Sequence, residues 1–179
     1  MNKNLKLWHL SVMAVATCVF AVIFQILTSD MAANGGRMYD YEIFGYTLEF
    51  YRHNQFLLGE AGLEIYQYKA LPLDMIYPFF YAITSLIAWE MLVKDELPKL
   101  YWIGAVMIVG VVLLDYYENL RLGLLLFGLE PASRDFVETT SLVTTTKWIL
   151  LGTTVLMIMG FAGRKLFMSR QAENSVKAS

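Results

Sequence analysis

Cysteine is almost absent from this chain: Cys18 is the only one in 179 residues, so no intramolecular disulfide can form. Histidine is nearly as scarce, and His9 and His53 lie too far apart to supply a pair at metal-ligand spacing. A zinc or haem centre is therefore not expected, and no metal or cofactor is read from the sequence. Charged residues make up only 17% of the chain and sum to a formal charge of -2, which argues against a nucleic-acid partner. A P-loop, a G-x-S-x-G elbow and a dinucleotide fingerprint are all missing, and with them the commoner nucleotide and acyl-transfer chemistries. There is no internal repeat, and no low-complexity run apart from a short polar C-terminal stretch.

What is abundant is apolar surface, at 57% of residues. Four runs, near 7–28, 74–93, 100–119 and 140–162, are long enough to cross a hydrocarbon core of about 30 Å at about 1.5 Å of helical rise per residue. The pattern predicts an all-α fold, a four-helix transmembrane bundle forming one membrane domain. The first run is read as a retained helix. It spans about 18 residues, longer than the usual core of a secretory signal, "LTSDMAA" offers no clean A-x-A cleavage site, and "VATC" is a poor lipoprotein box.

Lys and Arg set the expected orientation, because short cytoplasmic connections carry the excess. Lys3, Lys6, Lys94, Lys99, Arg164, Lys165, Arg170 and Lys177 fall on one side of a four-span layout, eight against five for Arg37, Arg52, Lys69, Arg121 and Arg134. Both termini then read as cytoplasmic, with a tail over 163–179, and the compartment as a bacterial inner membrane. Spans two and three are joined by the tight turn "KDELP", whereas 29–73 forms a long extracytoplasmic segment. Within it, the stretch 47–74 reads as helical, with Thr47 placed to cap it, Leu48, Tyr51, Gln55 and Leu58 on one face, and Gly59 and Gly62 interrupting it. Nine aromatic residues from Tyr39 to Tyr68 suit a segment that lies on the membrane or caps the bundle, or one that packs as an ordinary extracytoplasmic subdomain.

Polar residues inside the spans are the informative ones, because charge at depth is costly and normally faces the bundle interior. Asp74, Tyr77, Pro78, Tyr81, Thr84 and Ser85 share one face of the second span. Pro78 lacks an N–H and crowds the carbonyl of Asp74, so a kink or a loosened turn is expected there. Asp74 itself can be read as a helix cap. Asp115, Glu118 and Asn119 line one face of the third span, and Thr140, Thr144, Lys147 and Thr154 that of the fourth. Lys147 lies about 10 Å and Asp115 about 8 Å below the outer edge, so the two levels agree. The expectation is a buried cluster with Lys147 paired to Asp115, assisted by Glu118, Asn119, Tyr77, Tyr81 and Asp74. Two readings compete with a functional one: Lys147 snorkelling toward the headgroups, and an ion pair that only fixes helix register. A calcium or magnesium site on Asp115, Glu118 and Asn119 would be opposed by the nearby lysine.

"GEAGLEIY", "DMIYPFFY", "DYYENL" and "TKW", in that order, resemble the pattern G-x-x-G-x-x-x-Y, D-x-x-Y-P-x-x-Y, D-x-x-E-N and K-W of a group of bacterial four-helix integral membrane proteins. The resemblance runs from about Gly45 to Trp148. Leu63 stands where that pattern has an Arg, which weakens any anion-binding role there. The resemblance implies the same set of site residues and carries no activity with it. The preferred reading is a noncatalytic integral membrane protein, a lipid-binding protein or accessory subunit, partnered by membrane lipids, by a second copy or by another membrane protein. A small proton-linked transporter and an enzyme acting on a lipid or isoprenoid at the outer leaflet stay open as alternatives. If Lys147 and Asp115 are a simple pair, Lys147→Met should destabilise, and Asp115→Leu added to it should recover much of the loss.

Overall fold

The computed structural model describes residues 3–31 and 35–178. Positions 1, 2, 32–34 and 179 lie outside the described residues, as do the corresponding small parts of the expected outer segment and tail. The side chains of Lys3, Lys6 and Lys177, three of the eight basic residues expected on the inner side, also lie outside what is described.

Every regular element among the described residues is helical: α1 (Lys3–Met31), a 3₁₀ turn (Tyr39–Tyr41), α2 (Leu48–Ile65), a π turn (Tyr66–Ala70), α3 (Leu71–Val93), α4 (Pro98–Leu126) and α5 (Arg134–Ala178). The fold is an all-α bundle. Four helical rods are long and apolar enough to cross a membrane, the second being α2, the π turn and α3 run together over Leu48–Val93. In the bundle α3 packs against α1 and α4, and α4 packs against α5. Large apolar side chains cover the outward faces, among them Val15 and Val22 on α1, Phe79 on α3, Val106 and Leu113 on α4 and Leu156 on α5.

The second rod is longer than the expected span 74–93, and its local chemistry explains the difference. Thr47 caps α2 by accepting the Phe50 N–H at 3.2 Å. At Gly59 the backbone turns to φ 58°, a left-handed value that glycine adopts without a Cβ penalty, and the rod kinks there without ending. Pro72 would normally stop a helix, since it has no N–H and its ring crowds the preceding turn. The π turn absorbs it: the Leu71 N–H reaches five residues back to the Tyr66 carbonyl, widening the coil just before the proline. At Pro78, where a kink was expected, α3 continues as helix, and what the proline leaves behind is the freed carbonyl of Asp74. Because α3 continues from the π turn, Asp74 does not sit at a free helix end, and the cap reading fails for it.

The same kind of local chemistry shapes the run after Asn119, beyond the expected end of the third span. It continues α4 to Leu126, and the chain then turns through Gly128 at φ 66°. Leu129 N–H bonds the Leu124 carbonyl at 2.9 Å and Gly128 N–H that of Leu125 at 3.2 Å, a Schellman ending that needs glycine at the left-handed position. Helix α5 overruns 140–162 at both ends. It is capped by Ser133 Oγ, which accepts the Phe136 N–H at 3.3 Å, and it stays helical to Ala178, so the expected tail is mostly helix.

Two apolar cores flank a polar layer. The larger is built around Tyr39, fully buried and ringed by Tyr46, Tyr51 and Tyr66 at centroid distances of 5.2, 5.1 and 5.9 Å. It joins the 35–47 segment to α2, the end of α4 and the start of α5. Burial pushes the Tyr39 phenol up, against the lowering effect of its hydrogen bonds to Asn54 and Gln55, so it remains a neutral donor to the Tyr51 carbonyl at 3.1 Å. The smaller core, at the opposite end, centres on Trp89, Val93 and Ile108. At that same end Arg164 pairs with Glu96 at 2.9 Å and Lys165 donates to the Met91 carbonyl at 2.9 Å, tying α5 to the turn between α3 and α4.

Candidate functional site

The polar layer between the cores gathers the polar faces of three helices and one loop. Asp74, Pro78 and Tyr81 share a face of α3; Asp115, Glu118 and Asn119 share one of α4; Thr140, Thr144 and Lys147 share one of α5. Lys147, 3% exposed, stands at the centre. Its Nζ contacts Asp115 Oδ1 at 3.0 Å, Glu118 Oε2 at 2.6 Å and Asp40 Oδ1. The ammonium donates hydrogen bonds to Asp40 and Asp115 and stands as an ion-pair partner beside Glu118, so one cation is shared among three carboxylates.

Each acid is held in turn. Tyr81 donates its hydroxyl to Asp115 Oδ2 at 2.7 Å, and Thr144 donates to Glu118 Oε1 at 2.5 Å. Trp148 Nε1 donates to the backbone carbonyl of Asp40 at 2.7 Å, so two consecutive residues of α5 grip one loop residue by its side chain and its main chain. Gly45 lets that loop close. Its φ is 91°, and a Cβ there would come within 2.9 Å of Ser141 Oγ, the atom that accepts the neighbouring Tyr46 N–H at 2.5 Å. Oxygens of Asp40, Asp115 and Glu118 lie within 4.8 Å of one another, an arrangement that could hold a divalent cation, but the Lys147 ammonium already fills the space between them.

Asn119 serves a different purpose. Its Nδ2 donates to the Asp74 carbonyl at 3.2 Å, the carbonyl that Pro78 deprives of its helical partner. Asn119→Leu is therefore expected to cost about 1–3 kcal/mol, measured by reversible unfolding in mixed micelles. In a Pro78→Ala background, where residue 78 regains an N–H, the same substitution should cost distinctly less. Equal losses in both backgrounds would refute the assignment.

Asp74 is 4% exposed, and its Oδ2 has no hydrogen-bond partner among the described residues. It borders a cavity of about 370 Å³ that α1, α3 and α5 enclose together with Asp40 and Tyr41. Asp115 and Lys147 form part of the same wall. Phe24, Tyr77, Tyr81 and Trp148 supply aromatic faces, while Ala21, Gln25 and Tyr41 are exposed and mark the mouth. Tyr77 stacks on Phe24 at 6.5 Å and meets Tyr81 edge-on at 5.4 Å.

The structure thus brings together Asp74, Tyr77, Tyr81, Asp115, Glu118, Asn119 and Lys147 in one layer, with Pro78 beside them. It adds Asp40, Thr144 and Trp148, which sequence reasoning had not assigned to the site. Thr144 already lay on the polar line of α5, and Trp148 belongs to the K-W pair. Asp40 carries no periodic signal at all. Arg121 stands apart from the cluster, bridging α4 to α5 through Thr140 Oγ1 at 2.9 Å and the Phe136 carbonyl at 2.9 Å. Comparison of the chain with protein-family models, curated proteins and solved structures gives no match.

Proposed function

We propose that this chain is a noncatalytic, multi-pass integral membrane protein of a bacterial inner membrane, with both termini cytoplasmic, that binds a membrane amphiphile in the outer half of its bundle. One observation carries the reading: a cavity of about 370 Å³ bordered by a buried ion cluster, with its mouth at Ala21 and Gln25 of α1. Clefts of this size, mostly apolar and with a few convergent polar groups, are the usual form of a small-ligand site. In the proposed orientation Ala21 and Gln25 fall within the apolar stretch of α1, so the mouth faces hydrocarbon and a ligand enters sideways from the bilayer. Phe24 and Leu151 line the wall as an acyl chain requires.

The cluster and the cavity divide the work. Lys147 is ion-paired with three acids and so acts as the tie among α4, α5 and the 35–47 segment, not as a mobile charge, which tells against a transport pathway through it. Binding is left to the Asp74 side.

Native mass spectrometry of the gently solubilised protein tests this reading. A lipid-mass adduct that survives activation, and that is lost when Leu151→Trp fills the cavity, is the expected result. Protein that is lipid-free in several mild detergents would overturn it. The same spectrum reads out a second copy or an accessory partner.

A further inference from the structure

The proposed amphiphile site has a sign. Four buried or nearly buried carboxylates, Asp40, Asp74, Asp115 and Glu118, face the polar layer, and one ammonium answers three of them. The fourth, Asp74, lines the cavity with an oxygen that no group among the described residues satisfies. A buried acceptor left without a donor costs the full desolvation of that atom, and a buried charge without a partner costs more. The helix-cap explanation is gone, because α3 has no free end at Asp74.

The walls agree with that sign. Phe24, Tyr77, Tyr81 and Trp148 present aromatic rings to the cavity, and ring faces attract cations. Lys147 Nζ already lies 5.7 Å from the Trp148 ring centroid. An anionic head would meet a surplus of carboxylates and a lysine whose charge is already shared among three acids. Oδ2 of Asp74 needs a donor, which a primary ammonium has and a quaternary ammonium lacks.

We propose that the cavity selects a ligand headed by a primary ammonium group, with Asp74 as its counter-charge and hydrogen-bond acceptor and the aromatic wall around it. The assignment rests on the amphiphile-binding reading above. The shared chemistry, an alkylammonium, could come from an amine-headed lipid or from a free amine.

The test uses the full chain in a neutral maltoside detergent, with dodecylammonium, dodecyltrimethylammonium, dodecanoate, dodecanol and butylammonium as probes, followed by Trp fluorescence and thermal shift. Dodecylammonium is expected to bind best, the trimethyl probe more weakly, and dodecanoate not at all. Asp74→Asn should weaken dodecylammonium by about tenfold or more while leaving dodecanol unaffected. Butylammonium binding as tightly as dodecylammonium would keep the cation site but assign it to a free amine and remove the amphiphile. If dodecanoate and dodecylammonium bind equally, and both are lost in Leu151→Trp, the amphiphile reading stands and the ammonium proposal falls. If no probe binds, both fall. The comparison among probes needs no variant, so it decides the question even if Asp74→Asn fails to fold. Undiminished dodecylammonium binding by a folded Asp74→Asn protein overturns the role of Asp74 directly.

Discussion

Lys147→Met is expected to cost about 3–5 kcal/mol or to abolish folding, and adding Asp115→Leu should restore little of the loss. The reason is the number of partners. Removing the ammonium leaves Asp40, Asp115 and Glu118 close together in a buried layer with no countercharge, and deleting one acid still leaves two. A two-partner ion pair would behave in the opposite way, with the double substitution close to wild type. The combination that should recover most of the stability is Lys147→Met with Asp40→Asn, Asp115→Asn and Glu118→Gln, which turns a charged cluster into a neutral one of nearly the same volume. The measurement is the midpoint and slope of unfolding in mixed micelles for each variant. Full rescue by Asp115→Leu alone would show that Asp40 and Glu118 do not share the lysine.

Gly104→Ala should cost about 2–4 kcal/mol although it adds one methyl group. Gly104 lies on α4 against Trp89 of α3, and a Cβ at that position would overlap the indole. Trp89 is 1% exposed, meets Phe161 edge-on at 5.5 Å and donates Nε1 to the Tyr101 carbonyl at 2.9 Å, so the ring has nowhere to go without losing packing and a hydrogen bond. Trp89→Leu alone should also destabilise, by leaving a void. Combined with Gly104→Ala it should cost less than the sum of the two, since each change relieves the other. Strict additivity in thermal unfolding would mean that the two residues do not form one contact.

Helix periodicity made most of the polar layer legible. Asp74, Tyr77 and Tyr81 recur at helical spacing, as do Asp115, Glu118 and Asn119, and Thr140, Thr144 and Lys147, so their common faces follow from the chain alone. Counting rise per residue also put Asp115 and Lys147 at one level, and they meet at 3.0 Å. Asp40 was illegible for a physical reason. It sits on a three-residue 3₁₀ turn whose position is set by tyrosine stacking, by the left-handed Gly45 and by the grip of Lys147 and Trp148, all long-range effects with no local pattern. The helix read over 47–74 and the span read from 74 are one rod, and what the sequence does not announce is the π turn that lets the rod pass Pro72. Helix α4 runs past the expected end at 119 because "RLGLLLFGLE" is mostly apolar, and the Schellman bonds at Gly128 fix where it stops.

The order of residues in the lysine cluster has a consequence for biogenesis. Asp40, Asp115 and Glu118 all precede Lys147, by 107, 32 and 29 positions, so the lysine is synthesised after all three acids, on α5. Until α5 docks, the earlier helices hold three acids with no cation to answer them. The bundle with α5 docked and the nascent one without it therefore differ in charge balance at their centre, and the cluster is neutralised only when α5 arrives. A chain cut short before α5 is marked as incomplete by its own unneutralised acids.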